Sequence, residues 1–523
     1  MRSPYSRTMY DLLREQADRA PHGLAILTRE DTVTFSRLLS RVERVAGALR
    51  ADGIRRGQRV GLLAANRPEW LEVFFAAAAL GATLVPFSTW STRPELSFLL
   101  EDARVDILFL APAVGDRDFA ADILALRAEG HPSLPERLVA LDPAPQTGMR
   151  SYAAYREGPA LETLPPGEGA SATDTMVILY TSGSSNRPKA VPLRHAEAIE
   201  NGFNIGERQG IRPGDRVLAS IPLFWSYGCA NALPAVYGHG AGLVLQERFA
   251  AAGALDLIEQ HRCTGLYTLP AMTNALVGHE SFAKARTASL RTGVTIGSPQ
   301  DVIKAAEELG ATDICNIYGS TETYGNCCVT SHEWPLQERS RTQGHPLPGV
   351  TVRIRNAETG ELCPPGVVGE VEVSGYLTPG YAGDSAQHNA TVFTADGYFR
   401  TGDLGMRDED GRFSYAGRSS EMIKRSGINV SPAEVEEVLQ QYAAVGLAGV
   451  TGLADDARGE LIIAFVVPRP DLPVDQEGLL AHCRERLSRY KIPDRILVRD
   501  SLPLTPTGKL MRRELKDLAK TSA

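Results

Sequence analysis

The 523-residue chain is poor in several features that would have pointed to common classes. Its seven cysteines include no Cys-x-x-Cys spacing, which removes the usual zinc-ribbon and thioredoxin-like frameworks. Cys327 and Cys328 are adjacent, poor geometry for chelating one ion, and read as small buried side chains. The odd count, without a secretory leader, points to a reducing cytosol and a cytoplasmic protein. There is no basic excess: the formal net charge of -8 argues against non-specific binding to nucleic acid or anionic membranes. The uncharged stretch Val73–Ser91 is interrupted by Gly81 and Pro86 and does not read as a membrane span. No internal repeat is evident. A Walker-type loop is also missing. Pro188 stands where that loop needs glycine before Lys189, and the other Gly-Lys pair, Gly508-Lys509, is followed by Leu510 rather than a hydroxyl.

What is present is the segment LYTSGSSNRPKAV at 179–191. An apolar strand, Met176–Leu179, runs into a loop of small and hydroxyl-bearing residues, and Lys189 closes it. Backbone N–H groups, hydroxyls and an ammonium in one concave loop suit a polyphosphate. Taken alone, the same composition also describes an ordinary solvated Gly/Ser loop.

A chain of this length exceeds one core, so at least two domains are expected. Short apolar strands at Leu24–Leu27, Arg59–Leu63, Thr83–Phe87 and Ile107–Leu110 alternate with helical patterns, which argues for helix-covered parallel sheets. One helix starts at Pro68 and stops at Gly81, the positions these residues favour. The stretch 143–174, rich in Pro, Gly and Ala, lacks periodicity. Alternation resumes at Met176 and continues to Tyr318. From 351 to 415 the pattern becomes short strands among turns (Val352–Ile354, Glu370–Val373, Arg412–Tyr415), a small antiparallel or barrel-like element. A boundary is expected near Gly417. Ser431-Pro432-Ala433-Glu434 then reads as a capping box with proline at the first helical position. A separate α+β unit follows, with a strand at Leu461–Val467 and a helix at Gln476–Arg489.

The 179–191 segment resembles the signature loop of the acyl-adenylate-forming enzymes: acyl- and aryl-CoA ligases, stand-alone adenylation domains and beetle luciferases. Ser184 and Ser185 replace threonines and keep the hydroxyls. Asn186 and Ala190 replace glycines. Five further segments resemble the family in its order: IYGSTET (317–323), GEVEVSGYLTPGY (369–381), YFRTGDLG (398–405), GRSSEMIKRSGINVSPAEVE (417–436) and PLTPTGKLMRREL (503–515). The resemblance implies an α/β fold with a large N-terminal domain of helix-covered sheets plus the small barrel-like element, residues 1–416. A hinge at 417–420 and a small mobile α+β C-terminal domain, 421–523, would follow.

It also implies roles. Thr181, Ser182, Gly183, Ser184, Ser185 and Lys189 would hold the ATP phosphates. Glu322 would bind magnesium, with Thr181 beside it, oxygen ligands of the kind a hard cation takes. Thr321 would touch the α-phosphate. Tyr318 and Gly319 would lie against adenine, with Gly297 and Ser298 opposite. Asp403 would accept the ribose hydroxyls and Arg418 would bind the ribose or phosphate side. Lys509 would bridge the acid, the α-phosphate and the ribose during adenylation. Ser420 stands where the family's hinge usually carries Asp or Lys. Gly427 would line the channel for the pantetheine arm of CoA.

PLFWSYG (222–228) matches the family's acid-binding segment, with Trp225 at the gating position. Its neighbours Ser226, Tyr227, Cys229 and Ala230 are neutral. An unpaired ammonium there would be costly, so the acid is expected to be an uncharged acyl or aryl acid. Tyr227, Met272, Tyr324 and Gly325 are candidate pocket walls. The leading expectation is an AMP-forming acid–CoA ligase using ATP and Mg2+, monomeric or homodimeric. The alternative acceptor is an acyl carrier protein. A catalytically silent nucleotide-binding protein and a light-emitting oxygenase are the remaining readings.

Overall fold

The computed structural model describes residues 8–142, 148–165, 167–181, 188–425, 428–455, 458–487, 489–505 and 508–522. Among them the strands form two large sheets, a small antiparallel sheet, a C-terminal sheet and a two-stranded hairpin of Ala113–Val114 with Arg117–Asp118. The expected strands Leu24–Leu27, Arg59–Leu63, Thr83–Phe87 and Ile107–Leu110 are found with those limits. The helix Pro68–Leu80 ends at Gly81 in the left-handed region, φ 68°, where glycine meets no steric penalty.

The first large sheet has seven strands. Thr83–Phe87, Arg59–Leu63, Ile107–Leu110, Leu138–Ala140 and Arg150–Ser151 run parallel, and Thr175–Thr181 joins them beside Thr83–Phe87. Lys189–Arg194 folds back antiparallel on Thr175–Thr181, so the signature segment is the loop of an edge hairpin in which Thr181 pairs with Lys189. The second large sheet has nine strands. Its parallel centre runs from Cys315–Tyr318 through Thr292–Thr295, Gly265–Tyr267, Arg216–Ala219 and Gly242–Leu245 to Leu24–Leu27. The region from 351 to 418 is an antiparallel sheet of Thr351–Arg355, Gly369–Ser374, Phe399–Arg407 and Phe413–Arg418.

Two expectations need correction. The helix expected over Gln476–Arg489 ends at Arg486, because Leu487 turns to extended backbone and buries its side chain in the C-terminal core. The stretch 143–174 is not loose throughout. Arg150–Ser151 adds a strand, and Ala153–Arg156 a helical turn. Tyr152 and Tyr155 are buried there and donate to Glu72 and Asp52. Arg156 completes the shell around the fully buried Glu72.

The sheets meet through Asn66. This buried residue follows the strand Arg59–Leu63 and donates to the Ala219 and Ile221 carbonyls at 3.2 and 2.7 Å. It also accepts the Leu223 amide at 2.8 Å. One side chain thereby fixes the start of segment 222–228 against the first sheet. At the other end, Phe413–Arg418 continues two residues into the expected hinge, pairing Gly417 with Leu404 and Arg418 with Asp403. Ser431, N-cap of the helix Pro432–Gln440, donates to the Ala416 carbonyl at 2.6 Å and ties the C-terminal unit to that strand end. Among the described residues no helix is long and apolar enough to cross a membrane.

Asn66→Ala strands two carbonyls and an amide in a buried place. It is expected to lower unfolding stability by roughly 2–4 kcal/mol, measurable by denaturant titration. A loss near zero would mean other contacts hold the junction.

Candidate active site

Lys189 opens the returning strand of the edge hairpin, and its ammonium lies 5.0 Å from the centre of the Tyr381 ring. The Tyr381 hydroxyl donates to Glu322 Oε1 at 2.7 Å. Glu322 sits on the short 3-10 turn Thr321–Thr323, which directly follows the end of the nine-stranded sheet's Cys315–Tyr318 strand. Its other carboxylate oxygen makes no hydrogen bond among the described residues. The neighbouring Thr321 hydroxyl lies 3.0 Å from that of Ser226, so this turn touches the acid segment.

Tyr318 ends the same strand. Its hydroxyl donates to Asp403 Oδ2 at 2.7 Å, and its ring packs on Phe413 and Tyr415 at 4.5 and 5.8 Å. Arg418 Nε lies 3.1 Å from Asp403 Oδ1. That buried oxygen nevertheless has no aligned hydrogen bond, so Asp403 keeps an acceptor to spare. Burial raises the Asp403 pKa, and Arg418 and Tyr318 oppose the rise. Lys509 completes the group from the far end of the chain. Its side chain reaches solvent yet is crowded by the surrounding protein. That crowding, with the Arg418 charge, holds its ammonium below the usual lysine pKa; Asp403 and Glu421 act the other way.

On the acid side, Trp225 precedes a π-helical turn, Ser226–Ala232, a local irregularity often found at functional sites. Its ring meets Trp90 edge-on at 4.7 Å, and both rings meet Phe224. Gly325, at φ 92°, lies against this turn; a Cβ there would come within 3.0 Å of Asn231. The Tyr227 hydroxyl is committed to the Thr268 and Val294 carbonyls. Met272 is half-buried on the helix Pro270–Val277, beside Ala271, which a Cβ on Gly508 would strike at 2.3 Å. Tyr324 departs from its expected place. It has no exposed surface and its hydroxyl accepts the Arg194 amide at 2.9 Å, so it is a core side chain holding a left-handed turn rather than a pocket wall.

Gly297, at φ 128°, and Ser298 precede the helix Pro299–Glu307. The Ser298 hydroxyl is engaged with Asp301 in a reciprocal cap, which leaves backbone rather than hydroxyl as its contribution to a wall. Gly319 admits no side chain, since a Cβ would lie 2.5 Å from Asn326 and Gly325. Ser182, Gly183, Ser184, Ser185 and Gly427 lie outside the described residues.

Sequence reasoning missed Tyr381, Ser226, Tyr415 and Trp90. Tyr381 was within reach as the last residue of the 369–381 segment; Trp90 carried no signal, because its contact with Trp225 is made across 135 positions of chain.

The donor set fits a magnesium that arrives on a nucleotide. Among the described residues no cluster of three or more His, Cys, Asp or Glu could hold an ion alone. A carboxylate with one uncommitted oxygen near hydroxyls is what Mg2+ uses when phosphates and waters supply the rest.

Known proteins resemble this chain along most of its length. A family model for AMP-binding enzymes matches residues 13–382, and one for the AMP-binding enzyme C-terminal domain matches 434–509. The chain is 32% identical to an indoleacetate–CoA ligase of Aromatoleum aromaticum over 95% of both proteins. It is also 32% identical to a fatty acid–[acyl-carrier-protein] ligase, ScoC, of Streptomyces coeruleorubidus, over 98% of this chain and 97% of that one. The crystal structure of the anthranilate CoA ligase AuaEII with anthranoyl-AMP superposes with a TM-score of 0.89 at 28% identity, covering 100% of this chain and 99% of that one. The chain belongs to the AMP-binding, adenylate-forming enzymes.

Proposed function

We propose that the chain is an AMP-forming acid–CoA ligase that activates an uncharged acyl or aryl carboxylic acid with ATP and Mg2+ and passes the acyl group to CoA. The observation that carries this reading is that two charged clusters, Lys189 with Glu322 about Tyr381 and Asp403 with Arg418 and Lys509, are joined by the strand ending at Tyr318 and the turn that follows it.

In the first half-reaction a carboxylate oxygen of the acid attacks the α-phosphorus. The bond to the bridging oxygen breaks and pyrophosphate leaves, giving acyl-AMP. Negative oxygens shield the α-phosphorus and charge grows on the leaving group, so fixed cations and donors are the means of lowering the barrier. Lys189 and the 181–185 loop hold the β- and γ-phosphates. Glu322 and Thr181 would hold magnesium, which neutralises phosphate charge when bound. Thr321, hydrogen-bonded to Ser226, sits between the phosphate turn and the acid segment. Asp403 accepts the ribose hydroxyls, and Lys509 meets the charge developing at the α-phosphate. In the second half-reaction the CoA sulfur attacks the acyl carbonyl and AMP leaves. The C-terminal unit, 421–523, turns on the hinge 417–420 between the two steps.

Neutral surroundings at 225–230 and the aromatic cluster Trp90–Phe224–Trp225 support an apolar acid. The similarity to ScoC favours a second reading, with a carrier-protein phosphopantetheine as the thiol. Pyrophosphate release with a panel of acids, followed by thioester formation with CoA or with a loaded carrier protein, separates the two. No pyrophosphate with any acid would overturn both. A cytoplasmic monomer or homodimer is part of the same proposal.

Lys509→Ala is expected to slow adenylation by a few hundredfold, about 3–4 kcal/mol in barrier. Thioester formation from supplied acyl-adenylate should persist. A parallel loss in both steps would make the lysine structural.

The lowered Lys509 pKa has a sign that can be tested. The working form is the ammonium, so kcat/KM for ATP should fall as pH rises, and at a lower pH than an ordinary lysine would give. Arginine stays charged across this range, so any residual adenylation by Lys509→Arg should lack that decline. A wild-type profile flat through the lysine range would contradict the assignment.

Trp90→Ala and Trp225→Ala each remove one side of the edge-on pair. Both are expected to admit bulkier acids while leaving the KM for ATP near wild type. Acid competition assays read this directly; unchanged profiles would put the cluster outside the acid pocket.

A further inference from the structure

We propose that Tyr381 is a positioning residue that sets Glu322 and Lys189 together for the phosphate and metal end of the site. This rests on the reading that Glu322 takes magnesium and Lys189 takes phosphate.

Tyr381 touches both groups at once. Its hydroxyl occupies Glu322 Oε1 at 2.7 Å, which turns the carboxylate and leaves Oε2 for a cation. The Lys189 ammonium lies 5.0 Å from the centre of its ring, within the range of a cation–π contact.

The backbone around Tyr381 is held from three directions. Thr378 donates its amide to the Glu322 carbonyl at 2.8 Å and its hydroxyl to the Pro192 carbonyl at 2.7 Å. Asn389 pairs with both the amide and the carbonyl of Tyr381, at 2.8 and 3.0 Å. The Ala382 amide bonds the Ala190 carbonyl at 3.0 Å, one residue past Lys189. The Asp102 carboxylate accepts the Asp384 amide at 3.2 Å and the Tyr180 hydroxyl at 2.6 Å, joining the same segment to the other strand of the hairpin. Residues 378–384 therefore bond the returning strand of the phosphate hairpin and the Glu322 turn directly, and reach the other strand through Asp102. Tyr381 is the side chain this brace points at the two charged groups. Free carboxylates and ammonium groups sample many rotamers, and fixing them beforehand is what electrostatic preorganisation requires.

The test compares wild type with Tyr381→Phe, Tyr381→Leu and Glu322→Gln. Tyr381→Phe removes only the hydroxyl. The Mg2+ concentration for half-maximal pyrophosphate release should rise on the order of tenfold, with the KM for the acid unchanged. Calorimetric binding of a non-hydrolysable ATP analogue should lose most of its Mg2+-dependent gain, while Mg2+-free binding stays near wild type. Tyr381→Leu, which also removes the ring, should weaken Mg2+-free binding too. Thioester formation from supplied acyl-adenylate should persist in both. If Tyr381→Phe titrates Mg2+ like wild type while Glu322→Gln does not, the role of Tyr381 is overturned and the metal reading stands. If neither variant changes the Mg2+ titration, both are overturned. Loss of acid affinity or of the second half-reaction in parallel with the Mg2+ effect would mark Tyr381 as merely structural.

Discussion

The hydrogen bond from Tyr318 to Asp403 joins the end of the nine-stranded sheet to the antiparallel one, beside the backbone bridge of Gly344 with Phe413. Tyr318 is the last residue of a parallel strand, where open α/β sheets present ligand-binding loops. Asp403 lies inside an antiparallel strand that pairs with the one bearing Arg418. Packing Tyr318 among Phe413, Val352, Val371 and Val373 fastens the antiparallel sheet to the end of the parallel one. The rest of the cleft follows from that junction. The turn after Tyr318 carries Thr321 and Glu322, and the strand after Asp403 leads into the C-terminal unit that brings Lys509.

The elements most legible in sequence were those whose residues interact locally. Pro68 and Gly81 bracket their helix because one suits the first turn and the other the left-handed end. Ser431 caps its helix by bonding the amide three residues on. The four early strands were legible because parallel strands buried on both faces read as apolar runs. The segment 150–156 was not legible, because its order comes from Glu72 and Asp52, far away in sequence, and not from any local period. The helix end at Arg486 was misjudged for the same kind of reason: Leu487 leaves the helix to fill the C-terminal core.

The site divides along the same line. Lys189, Glu322, Asp403, Arg418 and Lys509 were singled out through motif resemblance, since each occupies a distinctive local string. What the motifs could not tell was which groups are already engaged. Ser298 spends its hydroxyl on a helix cap, Tyr324 on the Arg194 amide and Tyr227 on two carbonyls. All three had the right chemical type for a site, and none has a free hydroxyl. Tyr381 shows the converse, a residue without an assigned role that proves to touch both charged groups.

The charged groups of the site are unevenly placed, and the unevenness bears on what they can bind. Lys509 and Arg418 lie near enough for the arginine to depress the lysine's pKa, while Asp403 is the main carboxylate opposing it. Burial pushes the Asp403 pKa up against Arg418 and Tyr318, and one of its oxygens lacks an aligned donor. Lys189 rests on an aromatic face instead of a carboxylate. Cations that repel one another persist where the fold fixes their positions, and a polyanion bound among them removes the repulsion. The hydroxyl-bearing part of the same ligand satisfies the open oxygen of Asp403. A nucleotide with a polyphosphate at one end and a ribose diol near the middle meets both demands. A plain inorganic anion would meet only the first. The charge pattern thus suits a ribose-bearing polyphosphate, the kind of ligand the family's ATP is.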